Sequence, residues 1–135
     1  MSTFKFELVS PEEKLISEDV TMVTIPGEEG EFGVLAGHAP LLSALRVGVI
    51  EVRKDSMNDN NPRRVFVAGG FADVGVDHCT VLAEDAVDLS TLSVAKLDAE
   101  TAKIEASLAA ATDALDRQRL EARLVVAQAK RAAII

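Results

Sequence analysis

The chain has 135 residues, 22 acidic against 14 basic side chains for a formal net charge of −8, one cysteine, 4% aromatics and neither Trp nor Tyr. Such a composition excludes a nucleic-acid stacking platform, which needs aromatic faces and positive charge, and an internal disulfide, which needs a second Cys. Apolar residues make up 48%, enough for the core of one ordinary domain or two small ones.

Charge is unevenly spread. Residues 1–88 carry 7 basic and 16 acidic side chains, and residues 89–135 carry 7 and 6. The first part is therefore acidic enough to repel phosphate backbones, and a positively charged protein surface suits it better as a neighbour. A lone Cys79 fits a reducing compartment. The opening MSTFKFELVS lacks the charged-then-apolar pattern of a signal peptide, and no run approaches the roughly 18–20 apolar residues of a membrane span. The expectation is a soluble protein that reaches a membrane only through partners.

In chain order, strict alternation over residues 4–8 puts Phe4, Phe6 and Leu8 on one face and Lys5 and Glu7 on the other, a half-buried strand. Ser10, Pro11, Glu12 and Glu13 make a turn. Residues 14–18 and 20–25 are strands; in the second the apolar phase shifts between Met22 and Val23, which predicts a bulge or burial of both faces.

Residues 25–42 (IPGEEGEFGVLAGHAPLL) hold Gly27, Gly30, Gly33 and Gly37, half of all the glycines, with Pro26 and Pro40. So dense a run of backbone-special residues predicts a fixed bend. Glu28, Glu29 and Glu31 give it an acidic tip with no basic residue beside it in sequence.

Further strands follow over 41–45 and 47–53, broken near Gly48, with Ile50 and Val52 inward and Glu51 and Arg53 outward. Residues 55–61 are a polar, mobile turn, and 64–68, 71–76 and 79–83 are three more strands. Eight to ten short strands without an intervening helical period predict a sandwich or flattened barrel and exclude βαβ folding.

Residues 89–135 contain neither Gly nor Pro and are rich in Ala, a helix-forming composition. Val94, Leu97, Thr101, Ile104, Leu108, Ala111 and Leu115 form one stripe at 3-4 spacing. Thr112 and Asp113 interrupt it with a helix-start signal, and Leu120, Leu124 and Ala127 mark a second apolar face. The reading is an antiparallel two-helix hairpin, with one long helix as the alternative. The fold class is thus α+β, a β-sandwich over 1–88 followed by a helical hairpin over 89–135.

Chemistry-bearing motifs are sparse. His38, His78 and Cys79 are the soft ligands, and adjacent His78 and Cys79 on a strand point to opposite faces, which argues against a metal site. There is no nucleophile elbow, no GxGxxG and no GxxxxGK[ST]. The expectation is no catalytic residue, no metal and no cofactor.

Four blocks resemble the epsilon subunit family of the F-type ATP synthase, called delta in mitochondria. They are FELVSPEEKLI over 6–16, the Gly-Glu-rich turn with GVLAGHAPLL over 33–42, VAGGFADV over 67–74 and TVLAE over 80–84. The resemblance is strong over about the first 88 residues and architectural beyond. It implies a non-catalytic central-stalk subunit that joins gamma to the c-ring and passes torque toward the catalytic αβ sites. It places Glu31 in the c-ring contact, with Glu28 and Glu29 beside it, and makes His38, Ala39 and Pro40 structural. It also implies a hairpin able to restrain ATP hydrolysis, with Arg117, Arg119, Arg123, Lys130 and Arg131 as candidate contacts to the αβ ring. Some relatives bind ATP through an (Ile/Leu)-Asp-x-x-Arg-Ala motif; here Leu97 and Asp98 match but Thr101 replaces the arginine, which argues against ATP binding. The implied location is the cytoplasmic side of a bacterial inner membrane. A ligand-binding sandwich and a helical-hairpin adaptor remain the alternatives.

Overall fold

The structure, a computed structural model, describes residues 2–56, 58 and 60–134. Its elements are β1 (Phe4–Val9), β2 (Lys14–Val20), β3 (Met22–Gly27), β4 (Gly30–Leu35), β5 (Leu41–Ala44), β6 (Gly48–Arg53), β7 (Arg63–Val67), β8 (Gly70–Val74), β9 (His78–Ala83), β10 (Ala86–Asp88), a 3-10 turn (Leu89–Thr91), α1 (Val94–Ala110) and α2 (Ala114–Ala133). The chain divides into two compact units, Met1–Asp88 and Leu89–Ile135.

In the first unit two five-stranded sheets, ordered β2-β1-β9-β8-β5 and β10-β7-β6-β3-β4, pack face to face. Alternation drives this packing. Phe4, Phe6 and Leu8 of β1 are buried while Lys5 is exposed. Val23 and Ile25 of β3, Ile50 and Val52 of β6, and Val65 and Val67 of β7 join them in one core. Each such side chain contributes roughly 1.5–3 kcal/mol of burial. The pair β1–β9 is parallel, with Phe6 opposite Cys79, and the other pairs are antiparallel.

The phase shift expected near Met22 has a different cause from a bulge. Val20 closes β2 in one sheet and Met22 opens β3 in the other, so the chain changes sheets at Thr21. Val20 and Val23 are both fully buried across that switch. Thr21, itself buried, donates its hydroxyl to the Lys54 carbonyl at 2.7 Å and its N–H to the Arg53 carbonyl at 2.9 Å. A buried polar residue at the crossover is thereby satisfied.

The glycine-rich stretch is also not one bend. It is a tight β3–β4 hairpin, a full strand β4, and a second turn before β5. Strand β4 pairs residue for residue with β3 from Met22–Leu35 to Gly27–Gly30. The break expected near Gly48 falls instead at 45–47, because Gly48 pairs with Val67 as the first residue of β6. The polar turn expected at 55–61 lies partly outside the described residues.

In the second unit the hairpin reading holds over the single long helix. Ala111 and Asp113 both take extended backbone, with ψ 132° and 129°. The Asp113 carboxylate accepts from the Leu115 N–H at 3.0 Å, an N-cap that starts α2. Arg131 near the end of α2 pairs with Asp98 near the start of α1 at 3.1 Å, which fixes the helices as antiparallel. The apolar stripe stops short of its expected length: Leu97 and Ile104 are buried, but Leu115 is exposed in the first turn of α2. Helical phase does not carry across the extended residues between the two helices.

Candidate functional site

The acidic tip is built by the β3–β4 hairpin. Gly27 and Gly30 form its last pair, leaving Glu28 and Glu29 as a two-residue loop. Gly30 takes φ +140°, a value that only glycine adopts readily. Gly27 has no positive φ but sits where a Cβ would lie 2.7 Å from the Gly30 carbonyl oxygen and 2.9 Å from the Phe32 ring. Pro26 fits in β3 because its carbonyl is the group used there, accepting from the Arg46 N–H at 3.0 Å. The Glu28 N–H donates to the Ala44 carbonyl at 2.8 Å, so the tip is tied directly to β5.

Glu28, Glu29 and Glu31 are all exposed. Together with Phe32, Leu41, Leu42, Ser43 and Ala44 they line an open groove of about 470 Å³ between the hairpin and β5. No basic side chain lines it. The groove therefore offers three carboxylates beside three large apolar side chains. Leu42 is the most exposed large apolar residue among those described, at 71% of its full area.

The second turn leads from β4 into β5. Gly37, at φ +85°, donates its N–H to the Val76 carbonyl at 2.8 Å. His38 donates its N–H to the Leu35 carbonyl at 3.1 Å, and its Nδ1 donates to the Ala39 carbonyl at 2.6 Å, which assigns the proton to Nδ1. The imidazole packs tilted against Phe32 with centroids 6.4 Å apart. His38 thus ties this turn to its own backbone and sets its ring beside Phe32. Pro40 is exposed just ahead of β5. Gly33 pairs with Thr24 inside β4, and its face approaches the Met22 methyl, where a Cβ would stand 2.8 Å away.

The other soft side chains are dispersed. Cys79 is fully buried, and burial, with Asp73 nearby, pushes its thiol up to about 12. Its neighbour His78 faces the opposite way and meets Asp77 at 3.1 Å through Nδ1. Among the described residues no three His, Cys, Asp or Glu side chains cluster closely enough to hold a metal ion.

The five basic residues expected to make contacts, among the seven of the hairpin, do not form one patch. Arg117 donates from Nη1 to the Leu108 and Ala111 carbonyls at 3.0 and 3.3 Å, satisfying the open end of α1. Arg131 is engaged by Asp98. Arg119 and Arg123 are exposed beside Asp116, along a shallow depression of about 550 Å³. Lys130 is half-buried, as is Thr101.

Charge in the sequence points to the glutamates but not to Phe32, Leu41 and Leu42. The available signal is the double leucine at the start of β5, where alternation must turn at least one of two successive side chains away from the core and the edge position leaves both exposed.

A family model described as the ATP synthase delta/epsilon chain, beta-sandwich domain, matches residues 3–89. The ATP synthase epsilon chain of Rhodospirillum centenum is 47% identical over 129 residues, covering 93% of this chain and 88% of the relative. That of Rhodospirillum rubrum is 50% identical over 129 residues, covering 95% and 89%. A solved chain from the Euglena gracilis mitochondrial ATP synthase (OSCP/F1/c-ring) superposes with a TM-score of 0.81 at 26% identity, covering all of this chain and 83% of that one. Sequence blocks, sandwich-plus-hairpin architecture and full-length relatives agree, and the chain belongs to the delta/epsilon chain family of the ATP synthase.

Proposed function

We propose that this chain is a central-stalk subunit of a bacterial F-type ATP synthase, a non-catalytic joint between the gamma subunit and the c-ring. The observation that carries this reading is the acidic groove. Three exposed carboxylates stand on a hairpin whose tip is fixed by the Glu28–Ala44 hydrogen bond, beside the Phe32 ring that His38 packs against. Such a surface suits a partner's basic, polar loops, giving register and steering. Glu28, Glu29 and Glu31 make the c-ring contact. Proton flow turns the ring, this subunit turns with gamma, and the covalent chemistry happens elsewhere in the complex. The subunit lies at the cytoplasmic side of the inner membrane, held there by its partners; among the described residues no helix is long and apolar enough to cross.

The hairpin is the regulatory part in this reading. Arg119 and Arg123 are its exposed cations for acidic loops of the αβ ring, while Arg117 and Arg131 hold the hairpin closed. Thr101 stands where the ATP motif needs a cation, which argues against ATP as a ligand of the hairpin.

The experiment is the triple reversal Glu28→Lys, Glu29→Lys, Glu31→Lys, assayed for c-ring binding and proton-coupled ATP synthesis. Each exposed pair contributes roughly 0.2–1 kcal/mol, so losing three alone weakens binding by about 3-fold to 150-fold, and the like-charge repulsion the lysines add weakens it further. Unchanged coupling in the reversed variant overturns the assignment of the groove.

A further inference from the structure

The sandwich ends in a strand unlike its other edges. Strand β10 has three residues, against seven in β2, six in β4 and four in β5, the other edge strands. It pairs with β7 alone, through Ala86–Val67, Val87–Phe66 and Asp88–Val65. The Ala68 N–H, donating to the Asp85 carbonyl at 2.9 Å, ties its leading end. Ala86 packs against the margin of the core, but all three residues stay partly open to solvent. At the trailing end a charged pair holds the strand. Arg63 lies two residues before Val65 in β7, diagonal to Asp88 on the same face. Its Nε donates to Asp88 Oδ2 at 2.9 Å. Asp88 is also the last residue of the first compact unit. The next residue starts the 3-10 turn Leu89–Thr91, where the Leu92 N–H donates to the Leu89 carbonyl at 3.2 Å. Ser93 then caps α1, its hydroxyl accepting from the Lys96 N–H at 3.4 Å. The shortest edge of the sandwich is thus the root of the hairpin.

Resting on the regulatory reading of the hairpin above, we propose that β10 is a releasable strap that sets the hairpin's tether length, with Arg63 and Asp88 as its clasp. While β10 is paired, residues 89–93 are the whole connection into α1. Freed from β7, the strand joins that connection, and its three residues add roughly 10 Å of extended chain. The longer tether widens the range over which the hairpin can carry Arg119 and Arg123 toward an acidic partner. Release disturbs little else, because only Ala86 of β10 touches the core and does so from its margin. Short, one-sided pairing puts a segment at the low end of local stability. The clasp adds a small increment that depends on both charges, since its side chains are 45% and 23% exposed. Removing either charge therefore shifts the strap toward release while the two sheets stay folded.

The test uses the full-length chain, free and in the assembled complex. In the free parent, amide hydrogen exchange over residues 85–89 is faster than over β6. Asp88→Asn and Arg63→Gln each speed it by about 1.4- to 5-fold and leave β6 unchanged. The swapped pair, Arg63→Asp with Asp88→Arg, slows it again, which separates a lost clasp from a damaged fold. In the complex the two single variants lower ATP hydrolysis by up to about fivefold, and the swapped pair restores it. A crosslinker of about 8 Å, the span of such a diagonal, joins Arg63→Cys to Asp88→Cys and raises hydrolysis. Exchange over 85–89 as slow as over β6, or unmoved by both single variants, overturns the strap. Strap release as expected with hydrolysis unmoved by every variant overturns the tether role. If removing residues 89–135 also leaves hydrolysis unchanged, the regulatory reading fails and takes the tether role with it, while the exchange rates still decide the strap.

Discussion

Gly70 is the most constrained glycine of the sandwich, and replacing it by Ala tests how the turn that launches Phe71 is built. Its φ is +120°, and a Cβ there would lie 2.0 Å from the Leu82 carbonyl oxygen and 2.9 Å from the Ala83 Cα, all backbone of the neighbouring strand. No rotamer change relieves that contact; β8 must move away from β9. Backbone strain at such a φ costs about 1–3 kcal/mol, and overpacking adds about 1–3 kcal/mol more. The sum is about 2–6 kcal/mol, against about 5–15 kcal/mol for a whole domain. Gly30→Ala is the control. It has φ +140° but nothing within 4 Å of the added methyl, so only the strain of about 1–3 kcal/mol applies. Urea unfolding of the two variants beside the parent reads the difference. A Gly70→Ala loss below about 1 kcal/mol, or one equal to that of Gly30→Ala, refutes the packing part of the reasoning.

Other expectations follow from single groups. Asp113→Ala removes the cap of α2 and costs the hairpin about 0.5–2 kcal/mol, visible as lower helicity and an earlier thermal transition by circular dichroism; unchanged helicity rejects the cap. Cys79, buried with its thiol pushed up to about 12, reacts with a thiol reagent at pH 8 only as the sandwich opens, so its labelling rate rises with urea; rapid labelling of the native chain contradicts the burial. The Glu7 carboxyl is held below the ordinary carboxylate range by its hydrogen bond and charge pairing with Lys14, 2.9 Å away. A lowered folded value stabilises above the unfolded titration and is lost as pH falls through the folded one. Lys14→Ala therefore moves the Glu7 NMR titration up toward that range, and an unmoved titration denies the pair. Removing residues 89–135 raises ATP hydrolysis by the assembled complex while synthesis stays coupled; unchanged hydrolysis removes the hairpin's restraining role.

Much of the sandwich was legible because half-buried strands alternate, as Phe4, Phe6 and Leu8 do in β1 and Ile50 and Val52 do in β6. The switch between sheets at Thr21 was not, because a bulge and a change of sheet leave the same phase shift in a sequence. Strand β4 was hidden by composition: Gly30, Glu31 and Gly33 are poor strand formers, and only pairing along β3 makes them one. Three-residue β10 is too short to show a period. The hairpin break announced itself through Asp113, whereas the stripe was read on to Leu115 because neither Gly nor Pro marks the end of α1. At the site, the glutamates stood out by charge. Leu42 did not, since a leucine in a strand-forming run reads as core until the register shows it opposite Asp73 on the outer face.

The edge position of β5 raises a mechanical question, because a strand of four residues paired on one side only is the weakest member of a sheet. Here it is anchored to both sheets. Ladder pairing to β8 runs from Leu41–Val74 to Ala44–Phe71. At its far end the Leu45 N–H donates to the Gly70 carbonyl at 2.9 Å within the same sheet, while the Ala44 carbonyl and the Arg46 N–H bond to Glu28 and Pro26 of the opposite one. Leu45 itself is buried in the core. A load applied at Leu42 thus divides between two sheets instead of peeling one strand. The same hydrogen bonds fix the acidic tip, so groove and strand cannot shift independently. Any change that loosens Glu28 from Ala44 therefore frees the acidic tip and β5 together, even where the altered residue lies outside the groove.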